Sequence, residues 1–264
     1  GAMESLAQYF HSTPQALKPE EFVGIVLIDG LSLAEERVND EIGNLTNVAF
    51  VGGSASDDLK FQQTHIFVRG KSFADAALLV LLKPAAKFDI IKTQSFQSTG
   101  KVLVATKVDT ASRTVYEFNG KPATEEYARA VGIDDASKVG EYFMSNPLGL
   151  VADGEIFVRS PQQTQGSAIV FYCNMLEGME LELLTSTDII AETQRDLAEK
   201  MQELGGLKGV VNFNCILRTL ELQQRGRTAE YGQVFTAQPM VGFSTYGESY
   251  IGHINQTATM LVFN

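Results

Sequence analysis

Short apolar runs alternate along the chain with clusters of small polar residues. "EEFVGIVLIDG" (20–30) is a continuous apolar stretch ending at Asp-Gly, the pattern of a buried strand. In "SLAEERVNDEIGNL" (32–45), Leu33, Val38, Ile42 and Leu45 recur at near-helical spacing. Ser32 and Glu35 have the spacing of a capping box at its start. "NVAFVGGSASDD" (47–58) predicts a strand running into a Gly/Ser/Asp turn, and "THIFVRG" (64–70) a strand ending at glycine. "DAALLVLLK" (75–83) suits an interior strand or a short helix. The middle of the chain, with "FDIIKTQSFQ", "KVLVATKVD" and "TVYEFNG", predicts a β-meander. One helix interrupts it over 121–133, with Pro122 near its start and Gly132 at its end. A longer helix is predicted over 186–206, with Ile189, Ile190, Leu197, Met201 and Leu204 apolar and a Gly-Gly stop. A strand over 209–218 follows it.

The pattern also repeats. Val51-Gly52-x-Ser54 recurs as Val241-Gly242-x-Ser244, at an offset of 190 residues. The same offset lays 25–30 on 215–220, the helix 32–45 on 222–235, and Asp58 on Glu248. A Thr-led apolar strand follows each turn, as "THIFV" and "TATMLVF". Two related strand–helix–strand–turn–strand units are expected. The predicted class is α/β (α+β): two related lobes, each with a mixed, largely antiparallel sheet flanked by helices.

Composition narrows the function. With 32 acidic against 21 basic residues, the net charge is −11. That argues against nucleic-acid partners and against adhesion to an anionic membrane. The apolar run "AALLVLL" at 76–82 is far short of the roughly 20 residues of a spanning helix. No secretory leader is recognisable, "GAM" at 1–3 has the look of a cloning scar, and Cys173 and Cys215 lie in apolar strand-like stretches. Buried free thiols in a reducing cytoplasm are the expectation.

Candidate chemistry is sparse. "GGSAS" and "GFSTYG" miss the G-x-S-x-G elbow and lead into strands rather than helices, which weakens a serine hydrolase using Ser54 or Ser244. There is no GK[ST] phosphate loop and no paired-ligand metal motif among His11, His65, His253 and the two cysteines. Asp57 and Asp58 could hold the ammonium of a small ligand, against a plain reading as turn caps. The glycine-rich turns suit a carboxylate. Arg159 and Arg218 are candidate carboxylate clamps, with buried strand-end salt bridges as the alternative. Glu248 and His253 stand together in the closing segment, beside Asn255, without a counterpart pair in the first copy.

The blocks "LIDGLSLAEE", "VGGSASDDLKFQQT", "VYEFNGKPATEEYARAVG", "NPLGL", "VNFNCILRTLEL" and "VGFSTYGESYIGHINQTATMLVF" resemble the FIST sensory family from about residue 20 to the end. The resemblance implies a partial FIST N-terminal domain at 1–122, lacking an upstream part, and a FIST C-terminal domain at 123–264. It implies a cytoplasmic, non-enzymatic prokaryotic input module that binds small ligands, with amino acids proposed. Signalling would pass through a partner such as a histidine kinase or a cyclic-dinucleotide enzyme, and a homodimer is compatible. The ligand-binding positions carried over are Gly52, Gly53, Ser54, Asp57, Asp58, Asn214, Cys215, Arg218, Ser244, Glu248, His253 and Asn255, with no catalytic residues. Ser56 stands where the family pattern usually has glycine. The alternative that the resemblance raises is a haem-based nitric-oxide sensor, with His253, His65 or Cys215 on the iron.

Overall fold

In the computed structural model, which describes residues 1–152 and 154–264, the run at 20–30 forms an interior strand as its pattern predicts. The described residues divide into two compact units. Unit 1 takes Gly1–Gln94, Ile190–His253 and Thr257–Asn264; unit 2 takes Ser95–Ile189 and Ile254–Gln256.

Unit 1 contains α1 (Ala2–Tyr9), β1 (Val23–Asp29), α2 (Glu35–Leu45), β2 (Phe50–Ala55), β3 (Ala77–Leu82) and β4 (Phe88–Gln94). It continues with α3 (Ile189–Leu204), β5 (Gly209–Cys215), α4 (Ile216–Gln224), α5 (Thr228–Gln233) and β6 (Met240–Thr245). The closing strands are β7 (Glu248–Tyr250), β8 (Gly252–Ile254) and β9 (Thr257–Phe263). They build a first sheet in the order β8-β7-β2-β1-β3 and a second in the order β6-β5-β9-β4.

Alternation along the strands sends apolar side chains to both faces of each sheet. Val23 and Val51 of the first sheet meet Phe213 and Leu261 of the second. On the outer faces, Val26, Ile28 and Phe50 pack with Met3, Ala7 and Ile42, while Val210, Met260 and Val262 pack with Leu197 and Phe235. Unit 1 is therefore layered helix–sheet–sheet–helix.

The two related halves are these two sheets. β1 runs parallel to β2, with Val26 opposite Gly52, and antiparallel to β3. β5 runs parallel to β6, with Asn212 opposite Gly242, and antiparallel to β9. Both glycines are demanded by close approach. A Cβ at Gly52 would lie 1.8 Å from the Val26 carbonyl oxygen, and one at Gly242 would lie 2.0 Å from that of Asn212.

The 190-residue offset thus holds for the second strand of each half and fails for the first, where Val26 matches Asn212. "CILRTL" is no strand: α4 starts directly after Cys215, whereas a loop separates Asp29 from α2. The helix expected over 222–235 is two helices, α4 and α5, broken where Gly226 adopts φ +68°. Ser32 does not cap α2, whose N-cap is Ala34; its hydroxyl donates instead to the Asp29 carbonyl at 2.7 Å. Of residues 1–3, Met3 belongs to the fold, 2% exposed in the first sheet's outer core.

Unit 2 is built on an eight-stranded antiparallel sheet. Its long strand, Phe96–Asp109, pairs with Glu180–Ser186 on one side and Thr114–Phe118 on the other. The predicted helix forms over Ala123–Val131, with Gly132 in the left-handed conformation at its C-cap. It packs Tyr127 onto Phe143 in a core with Phe118 and Phe171.

Candidate functional site

Strand alternation sorts the sequence-predicted residues of unit 1 onto different faces, so they do not converge on one pocket. On the helical face of the first sheet, the Ser54 hydroxyl donates to Glu35 Oε1 at 3.4 Å in the first turn of α2. Asn39 of the same helix donates to the Ser249 hydroxyl at 3.2 Å. On the helical face of the second sheet, the equivalent Ser244 lies 2.9 Å from the Thr219 hydroxyl of α4. Asn214 donates to that same threonine at 3.0 Å, and its Oδ1 accepts from Arg218 Nε at 3.0 Å and from the Tyr231 hydroxyl at 3.1 Å. Each half thus places a serine at the carboxyl end of its second parallel strand, facing a helix start. The buried charge beside it is acidic in the first half, at Glu35, and basic in the second, at Arg218.

Between the sheets stands Glu248. Its backbone pairs with Gly53 in the first sheet, while its carboxylate reaches the second. The Thr245 and Thr257 hydroxyls each donate to it at 2.6 Å, and the Thr257 amide donates at 3.2 Å. Complete burial pushes this carboxyl up to about 7, against the opposing hydrogen bonds of Thr245, Thr257 and Cys215. Gly53 has no room for a side chain, since a Cβ would come within 2.5 Å of Thr245 Cγ2. Gly52 and Gly53 therefore serve packing in the sheet.

Asp57 anchors the turn after β2. It accepts from the Tyr246 hydroxyl at 2.6 Å and from the amides of Phe61, Gln62 and Gln63. These bonds, the Tyr246 hydroxyl foremost, hold its carboxyl well below the usual range. Asp58 is exposed with φ +55°. Asn255 falls in unit 2, where its amide donates to the Val158 carbonyl at 3.4 Å.

The arrangement discriminates between chemistries. The Ser54 hydroxyl donates to the Glu35 carboxylate, and the Ser244 hydroxyl shares a hydrogen bond with that of Thr219. Among the described residues, no group of three or more His, Cys, Asp and Glu side chains is placed to hold a metal ion. Two of the three residues proposed for haem, His253 and Cys215, do not fit it. His253 and Cys215 are each 1% exposed, and the imidazole is packed over Gly247, where even a Cβ would lie 2.1 Å from Cε1. An iron ligand must present an open face, and neither side chain does.

Two open clefts lie elsewhere in unit 1. One of about 220 Å³, at the carboxyl end of β1, is lined by Ser32, Arg37 and Asp75 among others. Another of about 430 Å³ is walled by α1 and α2. None of the sequence-predicted residues lines either. The sequence reading also missed Glu35, Asn212, Thr193 and Tyr231. The first two carry a signal: Glu35 is a carboxylate in the first turn after a strand, and Asn212 shares its face with Asn214 in "VVNFNC". Thr193 and Tyr231 reach the site from separate helices, and no local pattern marks them.

Residues 1–121 match the FIST N domain and residues 123–250 the FIST C domain. The first match is nearly complete and begins at residue 1, which corrects the expectation of a partial domain. The chain is also similar to an uncharacterized protein of Methanocaldococcus jannaschii, at 25% identity over 184 residues. That alignment takes in 64% of this chain and 35% of the relative, so the chain spans about a third of the relative's length. No solved structure matches.

Proposed function

Because the chain belongs to the FIST family, joining a FIST N domain to a FIST C domain, we propose that it is a non-enzymatic sensory domain binding a small metabolite within unit 1. FIST domains are sensory domains of signal transduction. The observation that carries the finer reading is the polar cluster of Asn214, Arg218 and Ser244 at the carboxyl end of β5 and β6. The carboxyl ends of parallel strands are where α/β sheets hold their ligands. A buried, hydrogen-bonded cluster built from neighbouring elements supplies fixed donors and acceptors for recognition.

Binding transmits a signal only if the ligand prefers one of two conformations, and the output then passes to a partner protein such as a kinase or a cyclic-dinucleotide enzyme. Amino acids are the first ligand class to test. A thermal-shift panel of amino acids and other small metabolites on the folded chain is expected to yield at least one saturable, concentration-dependent rise in Tm. A panel with no such rise contradicts the reading.

A further inference from the structure

Arg218 is 1% exposed, and its hydrogen bonds go only to neutral groups. Nε donates to Asn214 Oδ1 at 3.0 Å and Nη2 to Thr193 Oγ1 at 2.9 Å. Nη1 is buried with no acceptor among the described residues. A guanidinium keeps its charge in proteins, and burying one without a counter-ion is strongly unfavourable. The Tyr231 ring, 5.8 Å from the guanidinium carbon, offsets part of that cost through its π face. The carboxylate of Glu221, one turn further along α4, pairs with Arg225 at 2.8 Å. Arg218 also sits in the first turn of α4, whose amide ends add to the positive potential there. On the same face of β5 as Asn214, Asn212 keeps a buried Oδ1 without a donor among the described residues.

We infer that this locus is an oxyanion site, in which Arg218 Nη1 binds the carboxylate or phosphate of a small metabolite. The inference rests on placing the sensory ligand at the Asn214–Arg218 cluster. An ordinary buried arginine pairs with a carboxylate of its own chain; this one spends its bonds on an amide and a hydroxyl and leaves a charged donor over. The oxyanion supplies the missing counter-charge. A hydroxyl or amine on the same ligand suits the Asn212 oxygen. Access runs past α5, a six-residue helix with no buried residue that carries Tyr231 over the guanidinium. So lightly held an element opens at small cost.

The test follows the melting of the full chain in formate, acetate and phosphate, each titrated against chloride at constant ionic strength. Wild type, Arg218→Lys and Arg218→Met are compared. The expected result is a saturable rise for wild type, a half-effect shifted about tenfold or more upward in Arg218→Lys, and no saturable rise in Arg218→Met. Formate or acetate acting at the lower concentration assigns a carboxylate ligand; phosphate doing so assigns a phosphorylated one. Should Arg218→Met fail to fold, the Nε–H resonance of Arg218 in 15N-labelled wild type is followed instead, and it shifts with the same half-saturation. A wild-type melting temperature with no saturable rise, shifts of equal size in all three proteins, or an Nε–H resonance that stays in place overturns the inference. A metabolite that stabilises Arg218→Met as much as wild type also overturns it, while leaving the sensory reading intact. Saturation by simple anions with no metabolite hit upholds the site and counts against the sensory reading.

Discussion

Glu248 shows how one side chain can tie two sheets together at the cost of a pH-dependent stability. Its carboxyl is pushed up to about 7 by burial, above an ordinary value of 4.5. The folded state therefore binds this proton more tightly than the unfolded chain. The contribution is fully present below pH 4.5 and is lost as pH rises through 7, by up to about 3 kcal/mol. Glu248→Gln removes the titration while keeping an amide in hydrogen-bond reach of Thr245 and Thr257. Urea midpoints at pH 5 and pH 8 should fall markedly for wild type and much less for Glu248→Gln; parallel falls would exclude this role. At this scale the sequence is partly legible. The V-G-x-S repeat marks Ser54 and Ser244, and both prove to occupy equivalent positions facing helix starts. Glu248 and His253 stand out as a pair by composition, yet the burial of Glu248 between the sheets comes from the chain crossing from β6 to β7, which no local pattern announces.

At the scale of elements, the continuous apolar run and the glycine stop locate β1 and the end of α3 well, whereas "DAALLVLLK", expected as an interior strand or a short helix, forms β3 at the sheet's edge with its side chains only partly buried. The first turns of helices are harder. Ser32 has the right spacing for a cap, but Asp29 captures its hydroxyl. The boundary between β5 and α4 falls inside one apolar stretch, with no loop to mark it. "GAM" at 1–3 has the look of a cloning scar, yet Met3 fills the outer core of the first sheet. Met3→Ala is expected to cost about 2–3 kcal/mol in urea unfolding, as for other buried methionine truncations. A loss under about 0.5 kcal/mol would show that α1 is not part of that core.

For the whole molecule, the duplicated strand–helix–strand pattern ends up inside one unit as two facing sheets. The second unit is an antiparallel sheet inserted between β4 and α3 in the sequence. The duplication explains why polar groups gather at two equivalent places, and divergence explains why only one of them carries a buried cation. No described helix is long and apolar enough to cross a membrane. The residues carried over from the family pattern divide among sheet packing, a loop anchor and the Arg218 cluster, because alternation along a strand turns sequence neighbours to opposite faces. Function was legible as a family and a class of activity, and the ligand was not, because recognition depends on side chains that meet only after folding. The most direct test of the sensory account is calorimetric titration of the folded chain with the best-stabilising metabolite of the panel. The account predicts one saturable site of about 1:1 stoichiometry that is weakened in Arg218→Lys. Heats indistinguishable from dilution for every stabilising compound would contradict it.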